Sequence, residues 1–217
     1  MIKTKSLHGL YLISPTIMRS DMDYLHNIEI AIKAGVKIFQ FRGKYLSMRR
    51  KRYLIKKIND ICVSNKTNLI INDDLELIKY TDNFGIHIGN DINIKHLRKK
   101  FGNKIIIGVS CKDSITSAKK AEQNGASYIS FGSFFKSISK KNTKKCNINI
   151  LRQAKNLLTI PICAIGGINR KNLSKILEYN TDMIALISGI FDTNNIELET
   201  KWFLQTIKRY ERIKNKI

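Results

Sequence analysis

Eight short apolar runs separated by amphipathic segments constrain this chain more than any other feature. They are "GLYLIS" (9–14), "VKIFQFRGK" (36–44), "NLIIND" (68–73), "FGIHIG" (84–89), "KIIIGVS" (104–110), "YISFGSFF" (128–135), "PICAIGGI" (161–168) and "MIALISGI" (183–190). Nearly continuous Ile, Val and Phe marks strands buried on both faces, the pattern of a parallel sheet covered by helices. The stretches between them, such as "DYLHNIEIAIKAG", "MRRKRYLIKKINDICVS", "DSITSAKKAEQNG" and "NRKNLSKILEYN", carry apolar residues at helical spacing. Asp113 or Ser114 can cap the third of these, and Gly125 can close it. Eight such units in 217 residues predict an α/β fold, a single (β/α)8 TIM barrel spanning 1–217. A doubly wound open sheet is the alternative, because the pattern alone does not show closure.

With 43% hydrophobic residues the chain can bury a sizeable core. The opening "MIKTKSLHGLYLISP" lacks a clean signal-peptide core, and no apolar run approaches a membrane span, so a cytoplasmic protein without membrane partners is expected. Cys62, Cys111, Cys146 and Cys163 are widely spaced, with no CxxC pair and no zinc-like His spacing, which predicts reduced thiols. The net charge is +22, from 39 Lys and Arg against 17 Asp and Glu, and such a charge fits phosphate-rich partners. The basic residues are spread along a chain rich in Lys, Ile and Asn, as compositional drift would leave them, so no nucleic-acid partner is expected.

In a barrel the chemistry sits where strands end, and polar residues concentrate there. In "FQFRGK", Gln40, Arg42 and Lys44 alternate with Phe39, Phe41 and Gly43, so an extended backbone would aim all three polar groups one way. Arg42, Lys44 and Lys140 indicate an anionic ligand; Arg42, on an apolar strand, needs a partner at that depth. Asn72, Asp73 and Asp74 are either oxygen ligands for Mg²⁺ or a helix cap. Gly166, Gly167, Ser188 and Gly189, after the seventh and eighth strands, fit a phosphate site, against the plainer reading of paired glycines as a tight turn. His87 reads as a packed or hydrogen-bonded strand residue, and nothing marks Ser110 or Cys111 as a nucleophile. The basic stretch "KSISKKNTKK" (136–145) reads as a mobile loop after the sixth strand.

Taken in order, "GLYLIS", "QFRGK", "IND", "GIHIGND", "IIGVS", "YISFGSFFKSISK", "PICAIGGI" and "IALISGIF" resemble the thiamine phosphate synthase family across nearly the whole chain. The resemblance implies a (β/α)8 barrel and a Mg²⁺-dependent transferase. It joins hydroxymethylpyrimidine pyrophosphate to thiazole phosphate, releasing pyrophosphate. By that resemblance Gln40, Arg42, Lys44, Asn72, Ser110 and Lys140 contact the pyrimidine and pyrophosphate, with Arg42, Lys44 and Lys140 stabilising the leaving group. Ser137, Ser139, Gly167, Ile187 and Ser188 face the thiazole phosphate, and Asp73 binds Mg²⁺. Contact through Ser137, Ser139 and Lys140 implies that 136–145 closes over the site as a lid.

The chain departs from the family pattern in four ways. Gly43 replaces an acidic residue, Asn90 a Gln, and Ser137 and Ser139 two Thr; the fourth departure is Ile92, where the family has its second magnesium aspartate. Either Asp91 takes over that ligand role or the site is anchored by Asp73 with water and pyrophosphate oxygens. The related thiazole tautomerase uses a His just after strand five, and "VSCKD" has none. A non-catalytic nucleic-acid binder would instead show strongly salt-dependent binding. Family analogy allows a homodimer, on which the sequence is silent.

Overall fold

The computed structural model describes residues 7–15, 20–82, 84–89, 93–136 and 145–214. Its strands are β1 (Gly9–Ile13), β2 (Ile38–Phe41), β3 (Asn68–Asn72), β4 (Phe84–Ile88), β5 (Ile106–Lys112), β6 (Tyr128–Phe131), β7 (Ile162–Ile165) and β8 (Met183–Leu186). Each pairs in parallel with the next and β8 returns to β1, so the sheet closes and the open-sheet alternative is excluded. The helices are α1 (Asp21–Lys33), α2 (Met48–Ser64), α3 (Ile94–Phe101), α4 (Ile115–Gln123), α5 (Ile150–Leu157), α6 (Leu173–Leu177), α7 (Ser188–Phe191) and α8 (Ile196–Lys214). No helix among the described residues is long and apolar enough to cross a membrane.

Local chemistry sets the helix starts. Ser20 Oγ accepts from Asp23 N at 3.0 Å at the head of α1, and Ser47 Oγ accepts from Arg50 N at 3.3 Å before α2. Ser114, rather than Asp113, caps α4, accepting from Ser117 N at 3.1 Å. Gly125 follows that helix with φ +95°, a conformation glycine adopts without a Cβ penalty.

Strand residues alternate between two cores. Outward side chains such as Leu12, Phe39, Ile71 and Ile86 pack under Ile28 and Ile32 of α1 and Ile55 and Ile58 of α2. Each such buried aliphatic stabilises the fold by about 1.5–3 kcal/mol relative to exposure. Inward residues, among them Tyr11, Ile38, Ile70, Ile106 and Tyr128, fill the barrel. Across the strands they form rungs, one running Asn72, His87, Gly108, Tyr128 and another Ser110, Ser130, Cys163.

Four apolar runs extend three residues or more past the strands they contain. The second was expected to stay extended to Lys44, but β2 ends at Phe41 and a turn follows in which Leu46 N donates to Gly43 O at 2.9 Å. The sixth, seventh and eighth likewise leave the ladder after Phe131, Ile165 and Leu186. In the last three runs the apolar character continues because Phe134, Ile168 and Ile190 are buried in the core shared by strands and helices.

Candidate active site

The C-terminal strand ends surround a cavity of about 490 Å³. From the first half of the barrel Gln40, Arg42, Asn72, Asp73 and Ser110 line it, and from the second half Gly167, Ile187 and Ser188 do so. Lys44 is not among the lining residues: the turn after β2 turns it outward, exposed, with its ammonium 5.6 Å from the centroid of the Tyr45 ring. The expected alternation of three polar groups therefore holds for Gln40 and Arg42 and stops at Gly43. Lys140, Ser137, Ser139 and Asp91 lie outside the described residues, as do Asn90 and Ile92 and the bulk of the expected lid.

Ser14 pins the backbone of Arg42. Its buried hydroxyl accepts from Arg42 N at 2.8 Å and donates to Arg42 O at 3.4 Å. Among the described residues no carboxylate forms an ion pair with the Arg42 guanidinium, a half-buried cation at the cavity wall.

The two adjacent aspartates after β3 part company. Asp73 takes φ +59°, a left-handed conformation that costs a non-glycine residue about 1–2 kcal/mol. There its Oδ1 accepts from Gly89 N at 3.2 Å and its Oδ2 from Asn72 Nδ2 at 2.7 Å, at the cavity wall. Asp74 instead binds Lys51 Nζ at 2.9 Å, and that lysine is only 8% exposed. The ambiguity of "NDD" thus resolves into one carboxylate at the cavity and one structural ion pair beside it.

The glycines after β7 explain themselves sterically. A Cβ on Gly167, which has φ +65°, would lie 2.7 Å from Phe135 O. One on Gly166 would lie 2.6 Å from Ser133 Cβ. Their absence lets the turns after β6 and β7 pack together, and Asn172 Nδ2 secures the second turn through Gly167 O at 2.9 Å. The tight-turn reading is correct for packing, and the same turns wall the cavity.

Sequence reasoning missed a polar chain through the barrel. Gln40 Nε2 donates to Tyr11 Oη at 2.7 Å, Tyr11 Oη meets Tyr128 Oη at 2.7 Å, and Tyr128 Oη meets His87 Nδ1 at 2.9 Å. The reading of His87 as a hydrogen-bonded strand residue is right, and its ring stacks on Tyr128 with centroids 5.6 Å apart. The signal available was parity: Tyr11 and Tyr128 fall on the inward phase of their strands. Lys112 was also missed; it lines the cavity at φ +53°, beyond the register shift in β5. The cysteines offer no nucleophile, for burial pushes Cys111 up to about 12 and raises Cys163, in the barrel wall, further.

The family described as thiamine monophosphate synthase matches residues 10–190. A thiamine-phosphate synthase of Nitrosococcus oceani is 34% identical over 194 residues, 89% of this chain and 89% of that protein. One of Picrophilus torridus is 35% identical over 204 residues, 94% of this chain and 98% of that protein. In structure, a thiamine phosphate pyrophosphorylase from Pyrococcus furiosus superposes with a TM-score of 0.83 at 23% identity, covering 95% of this chain and 98% of that one, which speaks for the fold. By the extent of these matches, the chain belongs to the thiamine monophosphate synthase family.

Proposed function

We propose that the protein is a thiamine-phosphate synthase, a transferase that moves the pyrimidine methylene of hydroxymethylpyrimidine pyrophosphate onto the ring nitrogen of thiazole phosphate. Beside the family membership, one observation carries this reading: a single cavity has anion-seeking groups on two sides. The Arg42 guanidinium, without an ion-pair partner among the described residues, follows β2, while the glycine turn at Gly167 and the hydroxyl of Ser188 follow β7 and β8. Two anionic substrates fit that division, with pyrophosphate at Arg42 and thiazole phosphate at Gly167, Ile187 and Ser188.

In the proposed reaction the C–O bond to pyrophosphate breaks with its electron pair staying on oxygen. The methylene carbon left electron-poor accepts the lone pair of the thiazole nitrogen, forming the C–N bond. Arg42 stabilises the charge growing on the leaving group. Gln40, Asn72 and Ser110 hold the pyrimidine with its methylene toward the thiazole. The attacking nitrogen carries no proton, so the chain needs no general base. By the family pattern Lys140 joins Arg42 on pyrophosphate and Ser137 and Ser139 join the thiazole phosphate; Lys44 reaches the pyrophosphate only if its turn reorients.

Mg²⁺ suits this donor set. Among the described residues no group of three or more His, Cys, Asp or Glu could hold a metal alone. Asp73 offers a hard carboxylate beside the Asn72 amide, and Mg²⁺ commonly binds through one or two carboxylates plus substrate phosphates and water. Bound there, it would neutralise charge on the departing pyrophosphate.

The division of the cavity is testable by ligand binding. Arg42→Ala should weaken hydroxymethylpyrimidine pyrophosphate binding by about 10²-fold, the scale of a lost charge-assisted contact, while thiazole phosphate affinity stays within about threefold. Titration calorimetry with each ligand separately reads both numbers. Equal losses for the two ligands would refute the assignment of Arg42 to pyrophosphate.

A further inference from the structure

The polar chain inside the barrel has a direction. Tyr11 is 1% exposed and Tyr128 fully buried, so each hydroxyl proton needs a protein acceptor. Burial raises both phenols well above their usual range, and each keeps its proton. Because Gln40 Nε2 donates to Tyr11, the Tyr11 proton must go onward, and Tyr128 Oη is the acceptor within reach. Tyr128, having accepted, passes its own proton to His87 Nδ1. The opposite sense would leave the Tyr11 proton buried without a partner, at about 1–3 kcal/mol.

This order fixes the amide of Gln40. Its nitrogen is engaged by Tyr11, whereas among the described residues its carbonyl oxygen has no partner and yet is not one of the buried unpaired atoms, which are the hydroxyls of Tyr24 and Thr181. Gln40 lines the cavity, so that oxygen meets it. We infer that Tyr11 and Tyr128 are positioning residues whose chain from Gln40 to His87 holds the Gln40 carbonyl toward the cavity, so that the barrel selects a ring presenting an N–H donor there. The inference rests on the synthase reading, in which that ring is the aminopyrimidine and its exocyclic amine is the donor. A site built to pair a donor rejects an analogue that lacks it, because the buried acceptor is left unpaired.

The two tyrosines make different predictions. In Tyr11→Phe the amide is released and can turn either way. In Tyr128→Phe the Tyr11 proton has lost its acceptor, and the Gln40 carbonyl becomes the group that can take it. That turns the amide nitrogen toward the cavity and favours a ring acceptor.

The experiment compares affinities for hydroxymethylpyrimidine pyrophosphate and for its analogue with the ring amine replaced by a carbonyl oxygen. The unaltered protein should prefer the amine by about tenfold or more. Tyr11→Phe should bring the ratio near one, and Tyr128→Phe should shift it in favour of the carbonyl analogue. A purely structural role would weaken both ligands alike, so an unchanged ratio in folded variants overturns the inference. If neither variant folds, ¹⁵N NMR of the unaltered protein decides: neutral His87 should carry its proton on Nε2, and a proton on Nδ1 overturns the chain's direction. Thiamine phosphate formation by the unaltered protein is scored separately; its absence would sink the synthase reading, whereas product with an unaltered ratio sinks only the chain.

Discussion

Replacing Asp73 with Ala should lower thiamine phosphate formation by about 10³-fold, the largest activity loss expected from a single substitution among the described residues. Two effects add. The carboxylate proposed to meet Mg²⁺ is gone, and so is the acceptor that ties Gly89 N and the Asn72 amide to the end of β3. Asp74 cannot substitute, because Lys51 holds it in a separate ion pair. Steady-state turnover over a range of Mg²⁺ concentrations checks this. With Ile92 in place of the family's second aspartate, the site should bind Mg²⁺ weakly until pyrophosphate arrives. Ile92→Asp should then lower the Mg²⁺ needed for half-maximal rate, and Asp91→Ala should matter less than Asp73→Ala. Should Asp91→Ala be as damaging as Asp73→Ala while Ile92→Asp changes nothing, Asp91 holds the ligand role.

The largest stability loss is expected at Gly108, inside the barrel. On its rung the glycine stands between His87 and Tyr128, and a Cβ there would overlap the Tyr128 ring. The ring is fully buried and cannot swing into solvent. Gly108→Ala must therefore displace Tyr128 and break its contacts with Tyr11 and His87. Overpacking of this kind costs about 3 kcal/mol, a fall in Tm of roughly 6–12 °C for a chain of this size. Gly89→Ala is the control, since a Cβ there meets nothing within 4 Å. Thermal melts of the two variants should differ by most of that interval; equal, small shifts would show that the rung can repack.

What could be read in the sequence was whatever depends on local pattern. The apolar runs located all eight strands because strands covered on both faces must be apolar throughout. The motifs brought Gln40, Arg42, Asn72, Asp73 and Ser110 to one cavity with Gly167, Ile187 and Ser188 because each sits at a strand's C-terminal end. Lys44 escaped the pattern, since no local signal says that β2 stops at Phe41 and that the Gly43 turn faces it outward. Asp73 and Asp74 look alike in sequence, and only the left-handed backbone at Asp73 and the distant Lys51 tell them apart. The Tyr11–Tyr128 pair spans 117 positions and depends on a glycine on a third strand, a coincidence of register that single-strand reasoning does not supply.

The central claim, that this cavity joins two phosphorylated rings, is tested most directly by incubating the purified protein with hydroxymethylpyrimidine pyrophosphate, thiazole phosphate and Mg²⁺, with thiamine phosphate and pyrophosphate quantified together. The account predicts both products in equal amounts, formed only when both substrates are present and nearly abolished by Asp73→Ala. Pyrophosphate release without thiamine phosphate, or no product above the single-substrate controls, would contradict it.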